Sequence, residues 1–87
     1  MERDYCLLVF DSTHAAMSAE RALGRLMKVT MMPTLRQITA SCGMSLRVET
    51  ADLPALIQAL GRGAVPRDTC RLFRVEGTEV WEMKGAG

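Results

Sequence analysis

The sequence has few aromatic residues and no long apolar run, and both deficits exclude large classes of protein. One Trp, one Tyr and two Phe are its whole aromatic content over 87 residues. The longest clean apolar run is Tyr5–Phe10, far shorter than the ~18 residues that a membrane-spanning helix needs. The preceding Met1–Asp4 carries charges of both signs, so we expect neither a signal peptide nor a membrane partner.

An excess of charge of one sign is also lacking. Eleven Lys and Arg stand against ten Asp and Glu, a net charge of +1, which is not the basic footprint of a duplex-DNA binder. RNA-binding domains of small α+β type stack bases on sheet aromatics. With 5% aromatic residues, and Arg47 as the one basic residue in its predicted strand, the chain is not expected to bind nucleic acid.

Cysteine and histidine are too sparse for a disulfide framework or a metal site. The three cysteines, Cys6, Cys42 and Cys70, are odd in number and widely spaced, which favours reduced thiols in the cytoplasm. Metal sites need ligands grouped as in C-x₂-C or H-x₃-H, and no such group occurs. We therefore expect no metal and no cofactor. The sequence also shows no paired carboxylates and no Ser-His-Asp arrangement of the kind that would indicate an enzyme.

The hydrophobic pattern predicts one domain over residues 1–87, with a core at about 5–83 and a flexible tail at 84–87. Strands are predicted at 5–10, 29–32, 44–49, 70–75 and 79–83, and helices at 13 to about 27 and 53–60. The order is β-α-β-β-α-β with a short extra C-terminal hairpin strand, which is the ferredoxin-like α+β sandwich.

Some finer expectations follow from the same pattern. Ser12 suits the N-cap of the first helix and Asp52 that of the second. The alternation of Met44–Glu49 predicts a strand with one wet face. Apolar residues expected on the sheet-facing stripe of the second helix are Leu53, Leu56, Ile57 and Leu60, and those expected to share one core are Leu8, Leu23, Leu46 and Ile57.

This topology would bring three connections together at one edge of the sheet: residues 11–14, 34–43 and 61–69. They carry Arg36, Arg62 and Arg67, and the thiol of Cys42. The first helix would begin at the same edge. Guanidinium groups and a helix N-terminus both favour thiolate over thiol, so Cys42 is a candidate reactive cysteine.

The alternative, that Cys42 is inert packing, stays open, because lone cysteines are commonly buried. Cys6 and Cys70 fall within predicted strands, where core packing is the favoured interpretation. His14 is expected on the surface, in the first turn of the first helix.

Several short segments together carry a family resemblance. Their order along the chain is Val9-Phe10, then Ser12-Thr13-His14-Ala15-Ala16, Ala19-Glu20 with Leu23, Pro33-Thr34-Leu35-Arg36, and Ser41-Cys42-Gly43. This series, about residues 5 to 75, resembles the selenium/sulfur carrier protein-like family of small domains. The Pro-x-x-Arg and Ser-Cys-Gly pair in one connection is its specific part, and Leu35 departs from the family, which more often has a second proline there.

The resemblance implies a carrier more than a true enzyme, with Cys42 holding a persulfide or perselenide. It implies a cysteine desulfurase-like donor and an acceptor protein as partners. The residues expected to stabilise the thiolate or bind a partner are Arg36, Ser41, Gly43, Ser12 and Thr13. Glu20 would be structural or partner-facing.

The alternative function is a non-catalytic ligand-sensing or protein-docking module of ferredoxin-like fold, in which the arginines bind a small anion and Cys42 packs. Such modules often pair through edge strands, so a homodimer of this kind is a further expectation.

Overall fold

Five antiparallel strands form a single sheet in the order β2-β3-β1-β4-β5 in a computed structural model, which describes residues 4–38 and 43–83. The elements along the chain are β1 (Asp4–Phe10), α1 (Thr13–Gly24), β2 (Val29–Pro33), β3 (Met44–Glu49), α2 (Leu53–Gly61), β4 (Cys70–Glu76) and β5 (Glu79–Glu82), with 3₁₀ turns at Thr50–Asp52 and Arg67–Thr69. This is the ferredoxin-like α+β fold, so the predicted fold class is confirmed. No helix within the described residues is long and apolar enough to cross a membrane.

The strand register fixes which connections share an edge. Phe10, the last residue of β1, pairs with Cys70, the first of β4, and Pro33, the last of β2, pairs with Met44, the first of β3. All four strand ends therefore lie at one edge of the sheet. We call this the loop edge, and its described residues are 11–12, 34–38, 43 and 62–69.

The main core lies between the sheet and the two helices. Its buried members are Cys6, Leu8, Phe10, Ala16, Ala19, Leu23, Leu46, Val48, Leu56, Ala59, Leu60, Val65 and Leu72. The predicted core positions Leu8, Leu23 and Leu46 are confirmed, and the small alanines of α1 let that helix lie close to the sheet. Residues 6–10 of β1 are buried throughout, as expected of a central strand covered on both faces.

The second face of the sheet is also partly covered, so the predicted wet face of β3 is only half-exposed, at Arg47 and Glu49. Leu7 and Val9 are buried there with Phe73, Val75 and Ile38, and Ile38 comes from the connection after β2. Beneath the same connection Ser45 is fully buried. Its hydroxyl lies 2.6 Å from the Thr34 hydroxyl, so the buried polar group has a partner.

The first helix ends earlier than predicted, at Gly24 rather than near Met27. The N–H groups of Leu26 and Met27 both donate to the Leu23 carbonyl. These bonds form a turn, and the helix does not continue beyond it. Glycine weakens the last helical turn, and Leu26 is left 61% exposed.

The second helix faces the sheet with the predicted stripe at Leu53, Leu56 and Leu60, but with Ala59 in place of Ile57. Leu56, Ala59 and Leu60 are buried, whereas Ile57 is 37% exposed. The prediction that Ile57 belongs to the core was therefore wrong. Leu53, in the first turn of the helix, is half-buried against the same core. Asp52 precedes the helix but makes no side-chain cap, because it belongs to the 3₁₀ turn Thr50–Asp52.

Candidate functional site

The first helix begins at the loop edge and is capped as predicted. The Ser12 hydroxyl accepts a hydrogen bond from the Ala15 N–H at 3.1 Å, and the Ser12 carbonyl accepts one from Ala16. The Asp11 N–H donates to the Thr69 carbonyl, which joins this segment to the start of β4. Ser12 therefore acts on the helix terminus, while Thr13 beside it is exposed.

The described part of the β2–β3 connection is held to the sheet at both ends. The Thr34 N–H donates to the Gly43 carbonyl at 2.9 Å, which extends the β2–β3 ladder by one pair. Residues 35–38 form a turn closed by the Ile38 N–H donating to the Leu35 carbonyl. Ile38 is only 7% exposed and packs on the sheet in the cluster of Leu7 and Val9, so an apolar anchor positions this connection.

Two of the predicted site residues, Ser41 and Cys42, lie outside the described residues. In the sequence they stand between the anchored Ile38 and Gly43. Gly43 is exposed, its φ is not positive, and a Cβ built on it would meet no atom within 4 Å. Nothing in the described part of this chain therefore requires glycine at position 43.

The predicted arginines are distributed over two connections of the loop edge. Arg36 lies in the turn after β2 and Arg62 directly after α2, and both are exposed. The backbone of Arg67 begins the 3₁₀ turn Arg67–Thr69 in the same α2–β4 connection. The fold thus brings these segments to one edge.

The two described cysteines are poor nucleophiles. Cys6 is fully buried in the core, as predicted, and burial raises the pKa of its thiol, an effect that the Arg74 charge partly offsets. Cys70 is only half-buried, at the margin of the core. Burial first, and then the carboxylates of Asp11 and Asp68, raise the pKa of the Cys70 thiol. Both cysteines are therefore thiols rather than thiolates near neutral pH.

A groove at the loop edge was missed by the sequence reasoning. Its volume is about 210 Å³, and it lies between the start of α1 and the connection before β4. His14 and Ser18 line one side, and Val65, Pro66 and Thr69 line the other. His14 is exposed as predicted. No periodicity signals such a groove, because its walls come from segments about fifty residues apart.

Comparison with known proteins gives a match to a family. A model of the family described as Putative Se/S carrier protein-like matches residues 5–70. A search of curated proteins and a search of solved structures each return no match. Within residues 4–38 and 43–83, no group of three or more His, Cys, Asp or Glu side chains is placed to hold a metal ion.

Proposed function

Because the chain belongs to the Putative Se/S carrier protein-like family, we propose that it carries a sulfur or selenium atom on Cys42 and relays it between two proteins. The family match is the observation that supports this most. It extends from β1 to the first residue of β4, and so includes the whole β2–β3 connection with Arg36, Ser41, Cys42 and Gly43. The donor would be a persulfide-bearing or perselenide-bearing enzyme of the cysteine desulfurase type, in the cytoplasm.

The proposed transfer is an exchange at sulfur that needs no oxidant. The Cys42 thiolate attacks the terminal sulfur or selenium atom of the donor's persulfide or perselenide. The donor's S–S or S–Se bond breaks, and its cysteine leaves as a thiolate. A new bond forms on Cys42, so the cargo keeps its oxidation state, and the same step in reverse order delivers it to the acceptor. The rate depends on the thiolate fraction of Cys42 and on access to it.

The described groups around the β2–β3 connection suit an anionic thiolate. Arg36 is an exposed cation in the same connection, and the first turn of α1 contributes the partial positive charge of a helix N-terminus to the same edge. Ser12 would serve indirectly, because its hydroxyl holds that terminus. The Ile38 anchor would keep the connection in one position while different partners bind.

Differential alkylation tests the nucleophile. With limiting iodoacetamide near neutral pH, peptide mapping should find Cys42 labelled before Cys70, and Cys70 before the fully buried Cys6. The raised pKa of the Cys6 and Cys70 thiols lowers their thiolate fraction near neutral pH, so both should react more slowly. Labelling of Cys42 at the rate of Cys70 or slower would remove the carrier proposal and favour the docking module.

Replacing Arg36 with methionine should raise the pKa of Cys42 by a small amount, because an exposed charge is screened by water and salt. Ultraviolet absorbance of the thiolate against pH reports this pKa as the first of the three thiol titrations. The matched control is Arg62→Met, which removes an exposed cation from a different connection of the same edge. An unchanged curve for Arg36→Met would reject the activating role and leave Arg36 as a partner-docking residue.

Replacing Gly43 with alanine should slow transfer from the donor severalfold while stability is kept. The new Cβ meets no atom of the described chain, so the cost falls on a partner that must approach Cys42 closely. Gly61→Ala is the control, since its Cβ also meets nothing and it ends α2 instead of adjoining Cys42 in the sequence. The measurement is the loading rate by mass spectrometry beside urea unfolding. Equal loading rates for the two variants would show that partners do not need glycine at position 43.

A further inference from the structure

One hydrogen bond shows which residues of the edge strand β2 point their backbone N–H and C=O groups away from β3. The Thr34 N–H donates to the Gly43 carbonyl, and this pair continues the register in which Pro33 faces Met44. Hydrogen-bonded and non-hydrogen-bonded pairs alternate along an antiparallel ladder. Thr30 and Met32 therefore bond to β3, and Val29, Met31 and Pro33 direct their backbone groups away from it, into the open edge.

The open edge of β2 has none of the charges by which proteins block edge pairing. Its residues are Val29, Thr30, Met31, Met32 and Pro33. The proline lies at an outward position, where its missing N–H costs no bond to β3. The opposite edge differs, because β5 is four residues long and has Glu79 and Glu82 at its ends. Among the described residues, one edge strand of the sheet thus has a carboxylate at each end, and the other has no charged residue and a single proline at its last position.

We propose that β2 pairs with β2 of a second copy of this chain, antiparallel and with a two-fold axis at Met31. In this register each Met31 N–H donates to the Met31 carbonyl of the other copy. Each Val29 N–H donates to the Pro33 carbonyl of the other copy, so the proline acts only as an acceptor. The pairing joins the two sheets into one continuous sheet.

The side chains in this register favour a second copy as the occupant. Thr30 faces Met32 of the second copy on one side of the sheet, and Val29 faces Pro33 on the other. No charge meets a like charge, and the central contact is methionine on methionine, whose flexible thioether adapts to a symmetric interface. The register is thus self-complementary, which is what a second copy of the same strand supplies.

The second copy also brings a residue to the β2–β3 connection. By the same register, Lys28 of the second copy stands opposite Thr34, the first residue of that connection. The dimer therefore adds a cation beside the segment that contains Cys42, and this consequence alone depends on the proposed function. A short strand pair buries less surface than a standard interface, so the dimer dissociates on dilution.

Sedimentation equilibrium over about a hundredfold range of concentration should show the wild type passing from monomer to dimer. Met31→Pro removes the outward N–H while sparing the bonds to β3, and should hold the protein as a monomer. Met31→Ala keeps that N–H and should still dimerise, which controls for the lost side chain. Val80→Pro, on the outer side of β5, should dimerise as the wild type does. Thermal unfolding checks that each variant is folded.

Disulfide trapping tests the register. In a Cys42→Ser, Cys70→Ser background, Met31→Cys should form a covalent dimer on mild oxidation, because its Cα atoms lie about 5.5 Å apart across the axis. Thr30→Cys should not form a covalent dimer, because position 30 faces Met32 of the second copy and not position 30. A wild type that is monomeric throughout, a Met31→Pro dimer, or equal trapping at position 30 would overturn the proposal. Each of these results leaves sulfur loading by the monomer unaffected, so the two proposals fail separately.

Discussion

Leu46→Ala should lower the free energy of unfolding by about 2–5 kcal/mol. Leu46 is fully buried in the middle of β3, between the sheet and the helices, and it pairs with Leu8 of β1 and Met31 of β2. Its truncation leaves a cavity that the neighbouring strands cannot fill without shifting their register. For a domain whose whole stability is about 5–15 kcal/mol, this loss would unfold a substantial fraction of the protein.

Ile57→Ala is the matched control, because isoleucine and leucine side chains are equal in size and Ile57 lies on the outer side of α2. Because Ile57 is 37% exposed, its truncation should cost clearly less than that of Leu46, about 1 kcal/mol. Urea unfolding of both variants, with equal slopes against denaturant, provides the comparison. Equal losses for the two leucine-sized truncations would contradict the orientation of α2 described above.

Cys42→Ser should abolish loading of sulfur or selenium altogether, because a serine hydroxyl does not attack a persulfide under conditions where a thiolate does. The free energy of unfolding should change little, since the sequence places Cys42 in a connection rather than in a strand or helix. The readout is the intact mass after incubation with a cysteine desulfurase and cysteine or selenocysteine.

Cys70→Ser is the control for this loss of loading. Cys70 is a half-buried thiol of raised pKa at the same edge, so the variant should load as the wild type does. A Cys42→Ser protein that loads normally would transfer the carrier role to another cysteine. One that fails to fold would support a packing role for Cys42.

The pattern of apolar residues in the sequence predicted the strands and helices well wherever those residues are the buried ones. The continuous apolar run of β1 indicated a central strand, and the alternation of β3 gave its bounds correctly as Met44–Glu49. The end of α1, and the place of Ile57 on the inward face of α2, were wrong. Both depend on how a short helix sits on the sheet, and neighbouring residues in the sequence do not encode that.

The site was predictable in its topology but not in its anchoring. Strand directions alone brought the connections with Arg36 and Arg62 to one edge. The burial of Ile38 against Leu7 and Val9, and of Ser45 beneath Thr34, comes from a loop folding back over the sheet. Contacts of that kind join residues distant in sequence and leave no periodic signal.

The most direct test of the carrier proposal is peptide mapping of the loaded wild-type protein under non-reducing conditions. After incubation with a desulfurase and its substrate, one additional sulfur or selenium atom should be found on the peptide that contains Cys42. It should be absent from the peptides with Cys6 and Cys70, and dithiothreitol should remove it. An additional atom on Cys70, or none on any peptide while the desulfurase itself is loaded, would contradict the proposal.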